Sequence, residues 1–397
     1  MAPRFYGEPV LLKFSDRANA ITPFYAMAFS EKASALEAKG HHVVRLNIGE
    51  PDFGAPGPVV QAMQDVMEKA ELPYTSALGL PALREAIAGF YLQRHGVAVN
   101  PNNVVVTAGA SAALLLVSAA LVNHGDKVML ADPAYPCNRQ FIRSFGGQLQ
   151  SIPAGAEQRF QLTPQSVQAN WQSDTKGVML ASPSNPTGTS VPESDLAAVC
   201  DFVKSRDGWR IVDEIYLNLS HHGHAQTVLA FDPDAIVINS FSKYFGMTGW
   251  RLGWCVVPDD MVPVMERLAQ NLYICPSTPA QYAALACFTP ETLNVCEGRR
   301  DILLHRRQRV LDGLKQAGLS VDVEPDGAFY VYINVTSTGL NAMTFCERLL
   351  EEQHVALTPG NDFGEATGDD YVRLSFAASE TALDEGIKRI GTFLASL

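Results

Sequence analysis

The stretch Val105-Val-Thr-Ala-Gly109-Ala-Ser111-Ala-Ala113 reads as the end of a strand, a turn of small residues and the start of a helix. β-Branched residues suit a pleated, buried surface, whereas the alanine-rich run after them favours a helix. Working outward, the same alternation repeats. Strands are predicted over Val104–Thr107, Lys127–Leu130, Gly177–Ala181, Arg210–Asp213, Ala235–Asn239 and Gly253–Val257. Helices between them include Ser111–Leu121 and Glu193–Lys204. Such alternation implies an α/β fold, a mostly parallel sheet with helices on both faces. Ligands of such sheets sit beyond the carboxyl ends of the strands.

After about residue 280 the texture changes. A long helical stretch leads to short strands at Val321–Val323 and Phe329–Asn334 and a helix over Ala342–Glu352. Strands at Val355–Leu357 and Tyr371–Ser375 and a terminal helix follow. This reads as a smaller α+β domain. The chain start, with one amphipathic helix over Phe24–Lys39, is expected to pack on it. The expected division is a large domain over 49–284 and a small one built from 1–48 and 285–397.

Composition narrows the function. Of 397 residues, 47% are hydrophobic and 18% charged, which fits a folded protein with a large interior. A net charge of −12 argues against nucleic acid or an anionic membrane as main partner. The one basic run, Arg299 to Lys315, reads as the solvated face of a helix whose apolar face is Ile302, Leu303, Val310 and Leu314. Seven scattered cysteines without Cys-x-x-Cys pairs suit reduced thiols in the cytoplasm, with neither a disulfide frame nor a zinc site. Arg4, Glu8, Lys13, Asp16 and Arg17 interrupt any secretory signal, and the longest apolar stretch, Ala112 to Val122, is too short for a bilayer.

Several segments at strand ends carry chemistry. Gly109-Ala-Ser111 at a helix start lets an anion approach free N–H groups, although a tight turn that only aids packing reads equally well. Asn185, in Pro-Ser-Asn-Pro-Thr-Gly, could donate to a ring oxygen or simply belong to a turn. Asp213 ends the apolar strand of Trp-Arg-Ile-Val-Asp-Glu-Ile-Tyr216 and would pair with a pyridinium nitrogen, or be an ordinary solvated strand end. Arg373 lies mid-strand in Tyr-Val-Arg-Leu-Ser, where a substrate carboxylate or a structural salt bridge would satisfy it. The cluster His221-His222-Gly-His224 lacks acidic or cysteine ligands at a regular spacing, so no metal is expected there.

Ser240-Phe-Ser-Lys243, with Arg251 eight residues on, joins an amine able to attack a carbonyl with hydroxyls and a guanidinium suited to a phosphate. One small molecule needs both, the phosphorylated aldehyde pyridoxal 5'-phosphate (PLP).

Taken together and in order, these segments resemble the class I/II aminotransferases, fold-type I PLP enzymes, over nearly the whole chain. The matching pieces are Asn47-Ile-Gly49-Glu-Pro-Asp-Phe, Tyr74-Thr-x-x-x-Gly79-x-x-x-Leu-Arg, Gly109-Ala-Ser-x-Ala and Asp132-Pro-x-Tyr135. They continue with Asn185-Pro-x-Gly, Asp213-Glu-x-Tyr216, Ser240-x-Ser-Lys243 with Arg251, and Val372-Arg373-Leu-Ser. The resemblance implies a seven-stranded sheet and transfer of an amino group between an L-amino acid and a 2-oxoacid. It implies that Lys243 forms the internal aldimine and then moves protons, that Asp213 pairs with the ring nitrogen, and that Asn185 and Tyr216 contact the ring oxygen. Tyr135 would stack on the ring. The Ala110 and Ser111 N–H groups, Ser240 and Arg251 would hold the phosphate, with Tyr74 reaching the phosphate of a neighbouring subunit in a homodimer. Arg373 and the Gly49 backbone would grip the substrate carboxylate.

Two departures bear on the substrate. Asn138 stands where many relatives carry a second aromatic residue. Tyr273 aligns near the position at which animal-type aspartate enzymes carry an arginine for a side-chain carboxylate, which favours neutral or aromatic donors. A PLP-dependent lyase, such as a cysteine-conjugate β-lyase, is the alternative on the same motifs. A non-enzymatic PLP-binding regulator is disfavoured, because the residues before Asn47 leave little room for a DNA-binding domain.

Overall fold

The computed structural model describes residues 12–69, 71–221 and 225–397. Arg4, Glu8, His222 and His224 lie outside these residues. A two-residue strand, β1 (Val44–Arg45), precedes the main sheet of β2 (Val104–Thr107), β3 (Lys127–Asp132), β4 (Gln148–Pro153), β5 (Thr175–Ala181), β6 (Trp209–Asp213), β7 (Ile236–Ser240) and β8 (Gly253–Val256). The spatial order is β2-β8-β7-β6-β5-β3-β4. Only β8 runs against its neighbours.

The apolar pattern explains why this sheet is covered on both sides. Val105, Ile211, Ile238 and Cys255 face one helical layer, which includes Ala110–Leu121 and Val262–Leu272. Their strand neighbours Val106, Val212, Val237 and Trp254 enter the core on the other face. Side chains alternate along a strand, so runs apolar on both faces are what a doubly covered parallel sheet demands.

Beyond the sheet, β9 (Tyr330–Asn334), β11 (Thr358–Pro359) and β12 (Tyr371–Ser375) form an antiparallel sheet in the order β11-β12-β9. β10 (Val355–Ala356) pairs in parallel with β1. Helices Pro290–Ala317, Ala342–Gln353 and Glu380–Ala395 pack around them. The helix Tyr25–Glu37 buries Ala26, Phe29 and Ala33, and Asp362 accepts from the Tyr25 and Ala26 N–H groups at 2.9 and 3.2 Å. That cap fixes the helix start and brings Phe24 and Met27 to the mouth of the site.

The expected elements correspond, with three corrections. β4, Gln-Leu-Gln-Ser-Ile-Pro, is not among the strands the sequence pattern predicts. It is the sheet's edge, four of its residues are polar or proline, and only Ile152 is buried. Val321–Val323 is not a strand. Asp322 there accepts from Ser320 Oγ at 2.7 Å and Asn334 Nδ2 at 2.8 Å, which bends the chain and leaves only the isolated Ser320–Asn334 bridge. The basic run of Pro290–Ala317 is only partly a solvated face: Arg309 and Lys315 are exposed and Leu303, Val310 and Leu314 are buried as expected, but other positions differ. Arg306 is buried against Asp52 at 2.7 Å, and Arg307 pairs with Glu324 at 2.9 Å, whereas Ile302 is exposed.

Cys137, Cys200, Cys255, Cys275, Cys287, Cys296 and Cys346 are free thiols. Among the described residues, no helix is long and apolar enough to cross a membrane, and no group of His, Cys, Asp or Glu is arranged to hold a metal.

Candidate active site

The carboxyl ends of β2, β5, β6 and β7 open into a pocket of about 440 Å³ that the second sheet closes from the other side. It brings together Gly49, Ala110, Ser111, Tyr135, Asn185, Asp213, Tyr216, Ser240, Lys243, Arg251 and Arg373, residues scattered over more than three hundred positions. Tyr74 is the exception among the expected residues. It is 78% exposed and does not line this pocket.

Each side chain is held by its element. Asp213, the last residue of β6, is buried, and its Oδ1 accepts from the Ile215 N–H at 3.0 Å. Burial raises its carboxyl to about 6, opposed by that N–H and by the Lys243 charge. Lys243 follows β7 in a turn; its Nζ donates to the Gly49 carbonyl at 2.6 Å. Burial lowers this amine to about 8; Glu50 opposes the shift, and Arg373 and Arg251 add to it. Ser240 Oγ lies 2.9 Å from Ser242 Oγ and 3.1 Å from the Leu252 carbonyl.

Arg373 stands mid-strand in β12 and is 2% exposed. Its Nη1 donates to Asn185 Oδ1 at 2.8 Å and its Nη2 to the Asn47 carbonyl at 2.6 Å. The guanidinium lies 4.6 Å from the Tyr330 ring and 4.9 Å from that of Phe363. Its Nε is buried without a hydrogen-bond partner. No carboxylate pairs with Arg373 among the described residues, so the structural salt bridge is absent.

An anion cradle lies opposite. Gly109 starts the helix Ala110–Leu121 with no side-chain cap, at φ +90°. A Cβ there would come within 2.6 Å of Arg251 Nη2. Glycine therefore lets the guanidinium close over an uncapped helix start, where N–H groups and the helix dipole favour an anion.

Sequence reasoning missed several lining residues. Phe24, Met27 and Ile48 form an apolar wall, and Glu50 stands at its rim. In sequence Tyr330 reads only as a strand residue, yet its hydroxyl lies 2.7 Å from that of Tyr216. Ordinary core-type residues carry no motif that would have marked them. Neither Asn138 nor Tyr273 lines the pocket. Both are largely enclosed elsewhere, with Asn138 Oδ1 and Tyr273 Oη lacking partners.

A doubly covered α/β sheet with a buried lysine, a buried aspartate, an anion cradle and a buried guanidinium that has no carboxylate partner, all around one pocket, defines a PLP-dependent enzyme of fold-type I. The chain belongs to the class I and II aminotransferases, whose family model matches residues 41–390. It is 40% identical over 378 residues to the valine–pyruvate aminotransferase of Mycobacterium tuberculosis, covering 95% of this chain and 97% of that one. The crystal structure of an aminotransferase from the same organism superposes with a TM-score of 0.93 at 40% identity, covering 97% of this chain and 100% of the other. Aspartate aminotransferase from Thermus thermophilus with maleate superposes at 0.91 with 31% identity, over 96% and 100% of the two chains. The chain is an aminotransferase, and these relatives lend nothing to the lyase alternative.

Proposed function

We propose that this aminotransferase takes L-amino acids with neutral, apolar side chains as donors and a small 2-oxoacid as acceptor. The observation that carries this is the wall of Phe24, Met27 and Ile48, with acidic Glu50 at its rim. The pocket's three cations, Lys243, Arg251 and Arg373, each have another task in this reading. A donor with a second carboxylate would therefore face apolar surface and a like charge, both unfavourable. The valine–pyruvate activity named for the Mycobacterium tuberculosis relative agrees.

In this reading, Arg251, Ser240 and the Ala110 and Ser111 N–H groups hold the PLP phosphate. Asp213 would pair with the ring nitrogen, Tyr216 and Asn185 would meet the ring oxygen, and Tyr135 would cover the ring. The bound group supplies a protonated ring that accepts electrons when the donor's α-proton leaves. Arg373 receives the donor carboxylate through its free Nε and its fork, which orients the α-carbon toward Lys243. Lys243 Nζ would be the group that takes and holds the donor's α-proton. Burial lowers this amine from the ordinary lysine range, which suits a group that gives and takes a proton. The frame is a large domain over 49–284 and a small one from 1–48 and 285–397. We place the enzyme in the cytoplasm as a homodimer, with exposed Tyr74 reaching the phosphate of the neighbouring subunit.

The test is a kinetic panel of L-amino donors with pyruvate as acceptor. Valine, leucine or a similar donor should exceed aspartate in kcat/KM by about tenfold or more, the discrimination that roughly one to three kcal/mol of pocket contacts provides. Equal or higher values with aspartate would sink the proposal.

A further inference from the structure

We infer that Tyr330 is a positioning residue that serves both ends of the site: its hydroxyl donates to Tyr216, and its ring supports Arg373. This rests on the proposed roles of Tyr216 at the ring oxygen and Arg373 at the substrate carboxylate.

Tyr330 opens β9 and is 1% exposed. It touches three parts of the site at once. Its hydroxyl is 2.7 Å from that of Tyr216, the two rings meeting edge to face at 82°. Its ring face lies 4.6 Å from the Arg373 guanidinium. A Cβ on Gly49 would fall 2.3 Å from its hydroxyl, so glycine is required beneath it, and the Gly49 carbonyl accepts from Lys243.

Proton counting sets the direction of the phenol pair. A tyrosine hydroxyl has one proton to give and lone pairs to receive. If Tyr216 donated to Tyr330, it would have nothing to offer a ring oxygen. Tyr216 can serve that oxygen only when it accepts from Tyr330. The order is then Tyr330 to Tyr216 to ring oxygen, a chain in which each bond polarises the next. The same ring gives Arg373 a flat π surface, which holds the guanidinium plane without consuming its N–H donors.

The two roles separate by substitution. Tyr330→Phe removes the hydroxyl and keeps the ring; Tyr330→Leu removes both. The first readout is the midpoint of the pH-dependent absorbance change of the bound cofactor. A hydrogen bond to the ring oxygen favours its anionic form, so weakening it raises that midpoint. Tyr330→Phe should raise it by about 0.5 pH unit, and Tyr216→Phe, which removes the direct donor, by more. The second readout is the calorimetric Kd for 3-methylbutanoate, a carboxylate with no amine to react. Tyr330→Phe should leave it within about twofold, whereas Tyr330→Leu should weaken it about fivefold or more.

A shifted midpoint in Tyr216→Phe with none in Tyr330→Phe would overturn the relay and leave the site assignment intact. An unmoved midpoint in Tyr216→Phe would instead remove the assignment on which the relay rests. Equal carboxylate affinity in the Phe and Leu variants would overturn the supporting role of the ring. The phenylalanine variant retains shape and burial, so its thermal unfolding serves as the folding control.

Discussion

Lys243 Nζ and the carbonyl of Gly49, 194 residues apart in sequence, meet in a hydrogen bond of 2.6 Å. Two residues before Gly49, the Asn47 carbonyl accepts from Arg373 Nη2 at 2.6 Å. One short segment thus supports both the amine and the guanidinium. Its own anchor is the second sheet, where Thr358 Oγ1 donates to the same Asn47 carbonyl at 3.0 Å. Reactive centre and carboxylate receptor are therefore registered to each other through the backbone, the kind of preorganisation on which positioning depends.

The amine of Lys243, lowered to about 8, becomes a free base at a lower pH than an ordinary lysine. Capture of PLP by the apoenzyme should accelerate as pH rises through about 8 and level off above it. Rapid mixing followed by absorbance measures this. Lys243→Ala should lack the covalent phase at every pH. Arg251→Gln removes one nearby cation and should move the midpoint upward. Burial is the larger cause, so the midpoint should stay below that of a free lysine.

Arg373→Lys retains a positive charge but loses the planar fork and the Nε donor. The Asn185 and Asn47 acceptors and a substrate carboxylate cannot all be reached from one ammonium. The amino-donor kcat/KM should fall roughly 30-fold or more, equivalent to about 2 kcal/mol for hydrogen bonds to a charged group. Absorbance titration should find PLP affinity nearly unchanged. A comparable loss of cofactor affinity would place Arg373 at the cofactor instead.

How far the sequence disclosed this arrangement depended on where the chemistry lay. Strands β2, β6, β7 and β8 are legible because burial on both faces favours short runs rich in apolar and β-branched residues. Lys243, Asp213 and Arg373 stood out as charges beside such runs, where a charge needs a partner. Edge strand β4 has one covered flank and a polar pattern, so periodicity was weak. Tyr330 and the wall of Phe24, Met27 and Ile48 were invisible for the opposite reason. They look like any other core residues, and only the packing of helix Tyr25–Glu37 and β9 turns them toward the pocket.

Gly109→Ala tests the anion cradle. At φ +90° a side chain is strained, and its Cβ would crowd Arg251 Nη2 at 2.6 Å. The guanidinium must move off the helix start. The variant should lose about 1 kcal/mol or more of stability from backbone strain alone. Its Kd for PLP should weaken at least tenfold, read by fluorescence titration of the apoenzyme. The affinity for pyridoxal, which lacks the phosphate, should change far less. Equal losses for both ligands would mean the cradle does not hold the phosphate.

Glu214 carries a pH signature distinct from its neighbour's. It is 1% exposed, accepts from Val228 N–H at 2.7 Å and from Thr227 Oγ1 at 2.8 Å, and has no cation partner among its bonds. Burial raises its carboxyl from 4.5 to about 8, against those hydrogen bonds, and Asp213 adds to the rise. Between these two values the folded protein holds a proton that the unfolded chain has released. The stabilisation is complete below about 4.5 and is lost as pH climbs toward 8. Asp213 acts with the same sign but only up to about 6. From pH 6 to 8 Asp213 has dropped out, while His221, lowered to about 4, and Lys243, lowered to about 8, act with the opposite sign at the two ends, so the Glu214 part is read as the difference from Glu214→Gln. Over this interval, the unfolding temperature of the apoenzyme should fall, and that of Glu214→Gln, which binds no titratable proton there, should fall less. Parallel declines in the two proteins would assign the pH dependence to other groups.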